Sequence, residues 1–222
     1  MNVSKKILAG SFFLSLLGCD TDALKNNKSK MQYENRVEQE LNSGVINDDI
    51  FLIFKFGDSE NDVNAKFEQL KKEHGKITLD DKRRYTYEFV FDEYDFNNGY
   101  ATFSPIYHNN MLYKFKMRVE PYDVMEDLGG SGSYELLQTS SESLLYNLAM
   151  IYMEKFGVPI EKSSILFNTK DFFWINGNRE IKISLGSGFV NVIYTELSVL
   201  SRMEEQKKNK LRNEAEVTKK DI

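Results

Sequence analysis

An α+β fold is predicted for this chain: a repeated unit of one helix followed by antiparallel strands, flanked by an N-terminal and a C-terminal helix. Three observations carry that prediction. Two stretches place apolar residues at helical spacing, and each stops at a glycine, Gly75 and Gly157, 82 positions apart. After each glycine the apolar period shortens to two, the spacing of a strand with one buried face. Asn-Gly pairs, a strong hairpin signal, recur at Asn98-Gly99 and Asn176-Gly177, 78 positions apart, and the same offset separates His108 from Gly186.

The chain begins with a segment that the fold prediction leaves out. Lys5 and Lys6 precede an apolar stretch from Ile7 to Gly18. Twelve residues at helical rise reach only about 18 Å, short of a hydrocarbon core of roughly 30 Å, so the segment reads as a cleavable secretory signal over residues 1–18. Residues 19–30 follow as a polar tether without apolar periodicity.

Tyr33, Val37 and Leu41 then share one face of a short helix before Gly44. Ile50 to Phe56 is an apolar run that reads as a strand. Ser59-x-x-Asp62 is a capping box for a helix carrying Val63, Phe67 and Leu70, which Gly75 stops. Tyr85, Tyr87, Phe89 and Phe91 alternate with polar residues and give a strand with an aromatic face. The turn-forming Asn97-Asn98-Gly99 and His108-Asn109-Asn110 bracket a second strand. Tyr113, Phe115, Met117 and Val119 alternate with Lys114, Lys116, Arg118 and Glu120, the cleanest half-buried strand in the sequence.

Residues 129–133 form a Gly/Ser linker that separates a first unit, 31–128, from a second, 134–198. In the second unit a helix from about Thr139 to Lys155 carries Leu145, Leu148 and Tyr152 and ends at Gly157, with Pro159 just beyond. Strands are expected around Phe172–Ile175, Glu180–Leu185 and Phe189–Glu196, with Gly186-Ser187-Gly188 as a turn. Residues 199–222 read as an amphipathic helix running into a polar tail. The layout is two α/β units sharing or abutting a sheet.

Composition narrows the function. The 222 residues include 29 Lys+Arg against 34 Asp+Glu, a net charge of −5, and 41% hydrophobic residues. Such a chain buries about 70% of its unfolded surface, so a core needs no staples. The acidic balance argues against nucleic acid as a partner, because phosphate binding requires a basic footprint. A single cysteine, Cys19, excludes an intramolecular disulfide framework and any multi-cysteine zinc site.

Leu16-Leu17-Gly18-Cys19 resembles the lipobox of bacterial lipoproteins, whose signal peptidase cuts before a cysteine already carrying a diacylglyceryl thioether. The resemblance implies a mature chain of 204 residues beginning at Cys19, with side-chain charge −7, since Lys5 and Lys6 are lost with the signal. It also implies a membrane partner reached through diacylglycerol and palmitate on Cys19, and a place in the cell envelope facing out of the cytoplasm, with the leaflet left open. In organisation alone, the mature chain resembles the helix-on-sheet modules of extracytoplasmic bacterial proteins, including the tandem β-lactamase-inhibitor-protein type and the outer-membrane assembly lipoproteins. That likeness carries no binding residues.

No catalytic site and no cofactor are expected. His74 belongs to a helix end and His108 to a turn, which leaves no metal-ligand set, and the acidic stretch Asp92 to Asn97 lacks the glycine spacing of a calcium loop. Gly129-Gly130-Ser131-Gly132 lacks the Lys-Ser/Thr of a phosphate loop, and no G-x-S-x-G occurs. The sequence therefore points to a non-catalytic module that binds an envelope protein, with Tyr85 and Tyr87 as binding candidates because tyrosine combines contact area with a polar tip. The alternatives are a small-ligand-binding lipoprotein with an apolar pocket and a cell-envelope hydrolase with scattered acids. The anchor is directly testable: a palmitate analogue supplied to growing cells labels the wild type and leaves Cys19→Ala unlabelled, and equal labelling of both would remove the lipid anchor.

Overall fold

A computed structural model describes residues 27–74, 77–80, 84–89, 99–121, 133–163 and 169–220. The expected signal and lipobox, the expected helix stop at Gly75, Phe91, Asp92 to Asn97 and the glycines of the expected 129–133 linker lie outside these residues. The described residues form four helices and one eight-stranded antiparallel sheet, an α+β fold with a helix at each end.

Helix α1 covers residues 27–42 and ends at Gly44, whose φ of 68° suits a residue without a side chain. Its inward positions include Tyr33, Val37 and Leu41, as their spacing predicts, although the helix takes in the last four residues of the expected tether. Helix α2 (Glu60–His74) opens with the expected capping box: Asp62 Oδ2 accepts from Ser59 N at 3.0 Å, and Ser59 Oγ accepts from Asp62 N at 3.2 Å. Strands β1 (Ile77–Leu79), β2 (Tyr85–Phe89), β3 (Gly99–His108) and β4 (Met111–Pro121) follow as a meander. Asn109 and Asn110, with φ of 50° and 61°, make the tight β3–β4 turn, a conformation asparagine tolerates better than most residues.

Helix α3 (Ser133–Phe156) begins before the predicted Thr139 and so takes Ser133 from the linker. It ends where Gly157 N donates to Met153 O at 2.8 Å, with φ of 80° at the glycine. A second meander follows: β5 (Ile160–Ser163), β6 (Lys170–Asn176), β7 (Arg179–Leu185) and β8 (Val190–Glu196). The β6–β7 hairpin turns at Gly177-Asn178, one residue later than the Asn176-Gly177 pair suggests, because Asn176 is the last residue of β6 and pairs with Arg179. At Gly177 a Cβ would sit 2.3 Å from Val45 O, so only glycine lets the two backbones approach. Helix α4 (Leu197–Lys220) follows, starting two residues before the predicted Val199 and continuing through residues expected to form a polar tail.

The sheet order is β1-β2-β3-β4-β8-β7-β6-β5. Each unit thus runs helix then four strands, and the two final strands pair antiparallel at the centre, from Lys114 opposite Thr195 to Val119 opposite Val190. Side-chain alternation sorts every strand into two faces. On one face Tyr87, Ala101, Val119, Val190 and Leu185 lie in a single cross-strand row, and both α2 and α3 pack over that face. Phe67 of α2 stacks on Tyr85 at 4.2 Å, while Tyr152 of α3 lies against Trp174 and Tyr194. Phe115, Met117, Val190 and Val192 are fully buried beneath the helices.

The segment from Ile50 to Phe56 differs from expectation. It is a turn rather than a strand, held by Ile50 N to Phe54 O at 3.0 Å and by an isolated bridge between Asp49 and Lys55, with Leu52 at φ 55°. Ile50, Phe54 and Phe56 are buried, and Phe54 stacks on Phe115 at 4.9 Å. A short apolar run states that residues are buried without stating their backbone geometry. The strands β1 and β5, absent from the sequence reading, are three and four residues long and too short to show a period.

Inside this core the hydroxyls of Tyr152 and Tyr194 lie 2.5 Å apart. Burial, and for Tyr152 the adjoining hydroxyl, holds both well above the ordinary tyrosine value of 10.0. The folded pKa exceeds the unfolded one, so this contribution to stability is complete below about pH 10 and is lost as pH rises toward the folded values. Urea unfolding from neutral pH to about pH 11 is expected to show stability falling in the wild type and falling less steeply in the Tyr152→Phe, Tyr194→Phe double variant. Identical pH profiles would contradict the assignment.

Candidate functional site

The second face of the sheet is divided between its two units. Over β5, β6 and β7 it is covered by α1: the Tyr33 ring meets Phe173 edge-on at 5.1 Å, its hydroxyl donates to Glu180, and Lys162 Nζ lies 3.2 Å from its ring centroid. Burial first, then the Glu180 carboxylate, raises Tyr33 above the ordinary phenol range. Over β3 and β4 this face is exposed at Ser104, Lys116 and Arg118, while Val199, Arg202 and Gln206 of α4 line a cleft with Met111, Leu112 and Tyr113 at the start of β4.

The first unit's half of this face carries the polar members of the alternation. Thr78, Thr86 and Thr102 stand in one cross-strand row that continues through Arg118 to Asn191 and Ser184. The hydroxyls of Thr78 and Thr86 are 2.8 Å apart. Threonine suits such positions because it is β-branched and its hydroxyl can meet water, as at the exposed Thr78, or be buried, as at Thr102. Along β4 the face presents Lys114, Lys116 and Arg118, at successive separations of about 7 Å along the strand. Lys116 and Arg118 are exposed and Lys114 is half-buried.

The three cations differ in how they are held. Arg118 Nε lies 2.6 Å from Glu120 Oε1, and its guanidinium sits 3.9 Å above the Phe189 ring. Glu120 also accepts from the Tyr100 hydroxyl, and burial followed by this bond raises Tyr100 above its ordinary value. Neither Lys114 nor Lys116 has a carboxylate within ion-pair distance among the described residues. Nearby Lys182 is paired with Asp171 at 2.8 Å. The result is a strip of two uncompensated lysines and one braced arginine on a chain whose net charge is −5.

Tyr85 and Tyr87 lie on the opposite, helix-covered face, and both are half-buried. Tyr85 stacks on Phe67 and donates to Glu68 at 2.8 Å; Tyr87 meets Phe51 at 5.3 Å and Phe89 at 5.0 Å. The solvent side of the same strand presents Thr86 and Glu88. His108 ends β3 and lies half-buried near Tyr113, while His74 ends α2. No cluster of metal-ligand residues occurs among the described residues.

One buried carboxylate invites a catalytic reading. Glu196, with 6% of its surface exposed, lines a cleft of about 460 Å³ with Asp48, His108 and Arg202. Its oxygens accept from Ser198 N at 3.2 Å, Val199 N at 2.7 Å and Asn178 Nδ2 at 3.1 Å, and also from the Ser198 hydroxyl. Glu196 therefore caps the N-terminus of α4 and holds the β6–β7 turn. Sequence reasoning passed over the lysine strip because alternating Lys residues on a half-buried strand are also what an ordinary solvated face contains.

Compared with known proteins, the chain matches no family model, no curated protein and no solved structure. The geometry makes the tyrosines a packing feature in the first instance. Tyr85→Ser and Tyr87→Ser are each expected to lower stability by about 1–3 kcal/mol through lost area and ring contacts. Chemical denaturation measures this, and an unchanged midpoint for both variants would show that the rings add nothing to the fold.

Proposed function

We propose that the protein is a membrane-anchored, extracytoplasmic lipoprotein that works as a non-catalytic binding module, docking an acidic envelope protein on the exposed part of β3 and β4 around Ser104, Lys116 and Arg118. The observation that carries this reading is the strip Lys114, Lys116 and Arg118 on the central strand, exposed at Lys116 and Arg118 and without a carboxylate within ion-pair distance of either lysine among the described residues. Like charges about 7 Å apart repel one another, and threonine, used on β1 to β3, would serve a merely solvated face as well. An acidic partner relieves that repulsion. A flat polar sheet face with a rigid backbone loses little entropy when it docks, and electrostatic steering adds to the encounter rate.

The signal, the lipobox and the single cysteine support the tether. A tether confines both molecules to one layer, which raises their effective concentration and lets a modest interface suffice. Photo-crosslinking in native membranes tests the surface. A benzophenone residue placed at Lys116 is expected to give a discrete adduct, lost when Lys114→Glu and Arg118→Glu are combined, while the same probe at the exposed Lys72 of α2 gives none. Equal adducts from Lys116 and Lys72 would overturn the docking face.

A further inference from the structure

A second site lies at the outer edge of the other unit. Strand β5 starts at Ile160, which faces Phe173, so Trp174, Ile175 and Asn176 of β6 pair with β7 on one side and have no described strand on the outer side. The notch left there is a cleft of about 700 Å³, within the usual size range of small-molecule sites. Its apolar wall is formed by Phe156, Trp174 and Ile181. Its other wall is the polar side of α1, with Gln32, Asn35 and Gln39.

Arg179 sets the chemistry of this cleft. Only 7% of its surface is exposed, and it has no carboxylate within ion-pair distance among the described residues. Its Nη1 donates to the Asp49 carbonyl at 2.8 Å, and its guanidinium sits 5.1 Å from the Phe156 ring. No atom of Arg179 is both fully buried and unsatisfied, so its remaining N–H donors reach solvent where the side chain lines the cleft. Burial lowers its pKa, the sign of a cation short of compensation. Arg36, the other cation of the lining, is already neutralised by Glu40 at 2.6 Å, and Glu40 in turn accepts from Gly177 N. The described lining contains no acid.

We propose that this cleft binds a small organic carboxylate, with the carboxylate on the Arg179 guanidinium and an apolar body against Trp174 and Phe156. A planar guanidinium offers a carboxylate two parallel hydrogen bonds, and a desolvated cation with one backbone partner gains more from an incoming anion than an exposed one does. The α1 amides form the rim and can bond water or a polar substituent. This site is separate from the lysine strip on β4, so either can fail without the other.

Trp174 is the only tryptophan in the chain and forms part of the wall, so its emission reports occupancy directly. The test titrates the whole protein with octanoate and with neutral octanamide, following Trp174 emission and confirming stoichiometry by calorimetry. Octanoate is expected to shift the emission saturably with one site per chain, and octanamide to bind at least about tenfold more weakly. Arg179→Gln loses a similar factor, while Arg179→Lys, which keeps the charge without the fork, loses less. Should Arg179→Gln fail to fold, Gln39→Phe on the exposed side of α1 narrows the cleft without touching the core and is expected to abolish the response. No saturable response up to millimolar octanoate, equal binding of octanoate and octanamide, or wild-type binding by folded Arg179→Gln or Gln39→Phe would each overturn the proposal.

Discussion

The antiparallel pairing of β4 with β8 joins two four-stranded meanders that would otherwise each end in an unpaired edge at their most apolar strand. Such an edge is a template for association with other chains. Pairing the two last strands with each other closes both edges at once and places the most buried positions, Phe115, Met117, Val190 and Val192, at the middle of one continuous face. Helix α3 can then lie across the junction, over β4, β7 and β8, and serve both units. The short outer strands β1 and β5 are left as the free edges, where an interrupted ladder exposes few backbone groups.

Having both packing helices on one face leaves the other face to be handled separately. The N-terminal segment covers half of it. From α1 the chain rounds the end of the sheet beside the β6–β7 hairpin, where Asn47 bonds Asn176 and Asn178 and Val45 O accepts from Asn178 N. It then enters the helix side, where Ile50, Phe54 and Phe56 join the core. One continuous segment therefore seals the open face of the second unit and fills the space under α2. Both proposed sites arise from this asymmetry: the β4 strip lies on the unit opposite the one that α1 covers, and the Arg179 cleft lies where α1 and the short β5 fail to meet.

Arg179 and Glu196 show why burial by itself does not define function. Both are charged, both are more than nine-tenths buried, and they are cross-strand partners on β7 and β8. Glu196 has its oxygens taken up by backbone and side-chain donors at the start of α4, so its role is structural. Arg179 has one carbonyl and one ring. The difference in remaining hydrogen-bonding capacity, rather than in depth, separates a cap from a ligand group.

Local chemistry was readable from the sequence. The stop at Gly157, the Ser59–Asp62 capping box and the two-faced β4 follow from contacts within a few residues and stand as their spacing predicts, and the hairpin beside Asn176-Gly177 is shifted by one residue. The lipobox expected at Leu16 to Cys19 is a pattern of the same local kind and lies outside the described residues. What pairs with β4, which face α1 covers, and whether Ile50 to Phe56 extends or turns are settled between residues far apart in the chain, where an apolar pattern records burial but not the neighbour that provides it. The lysine strip and Arg179 belong to this second kind: the sequence shows that the cations are present, and only the tertiary arrangement determines which of them meet an acid.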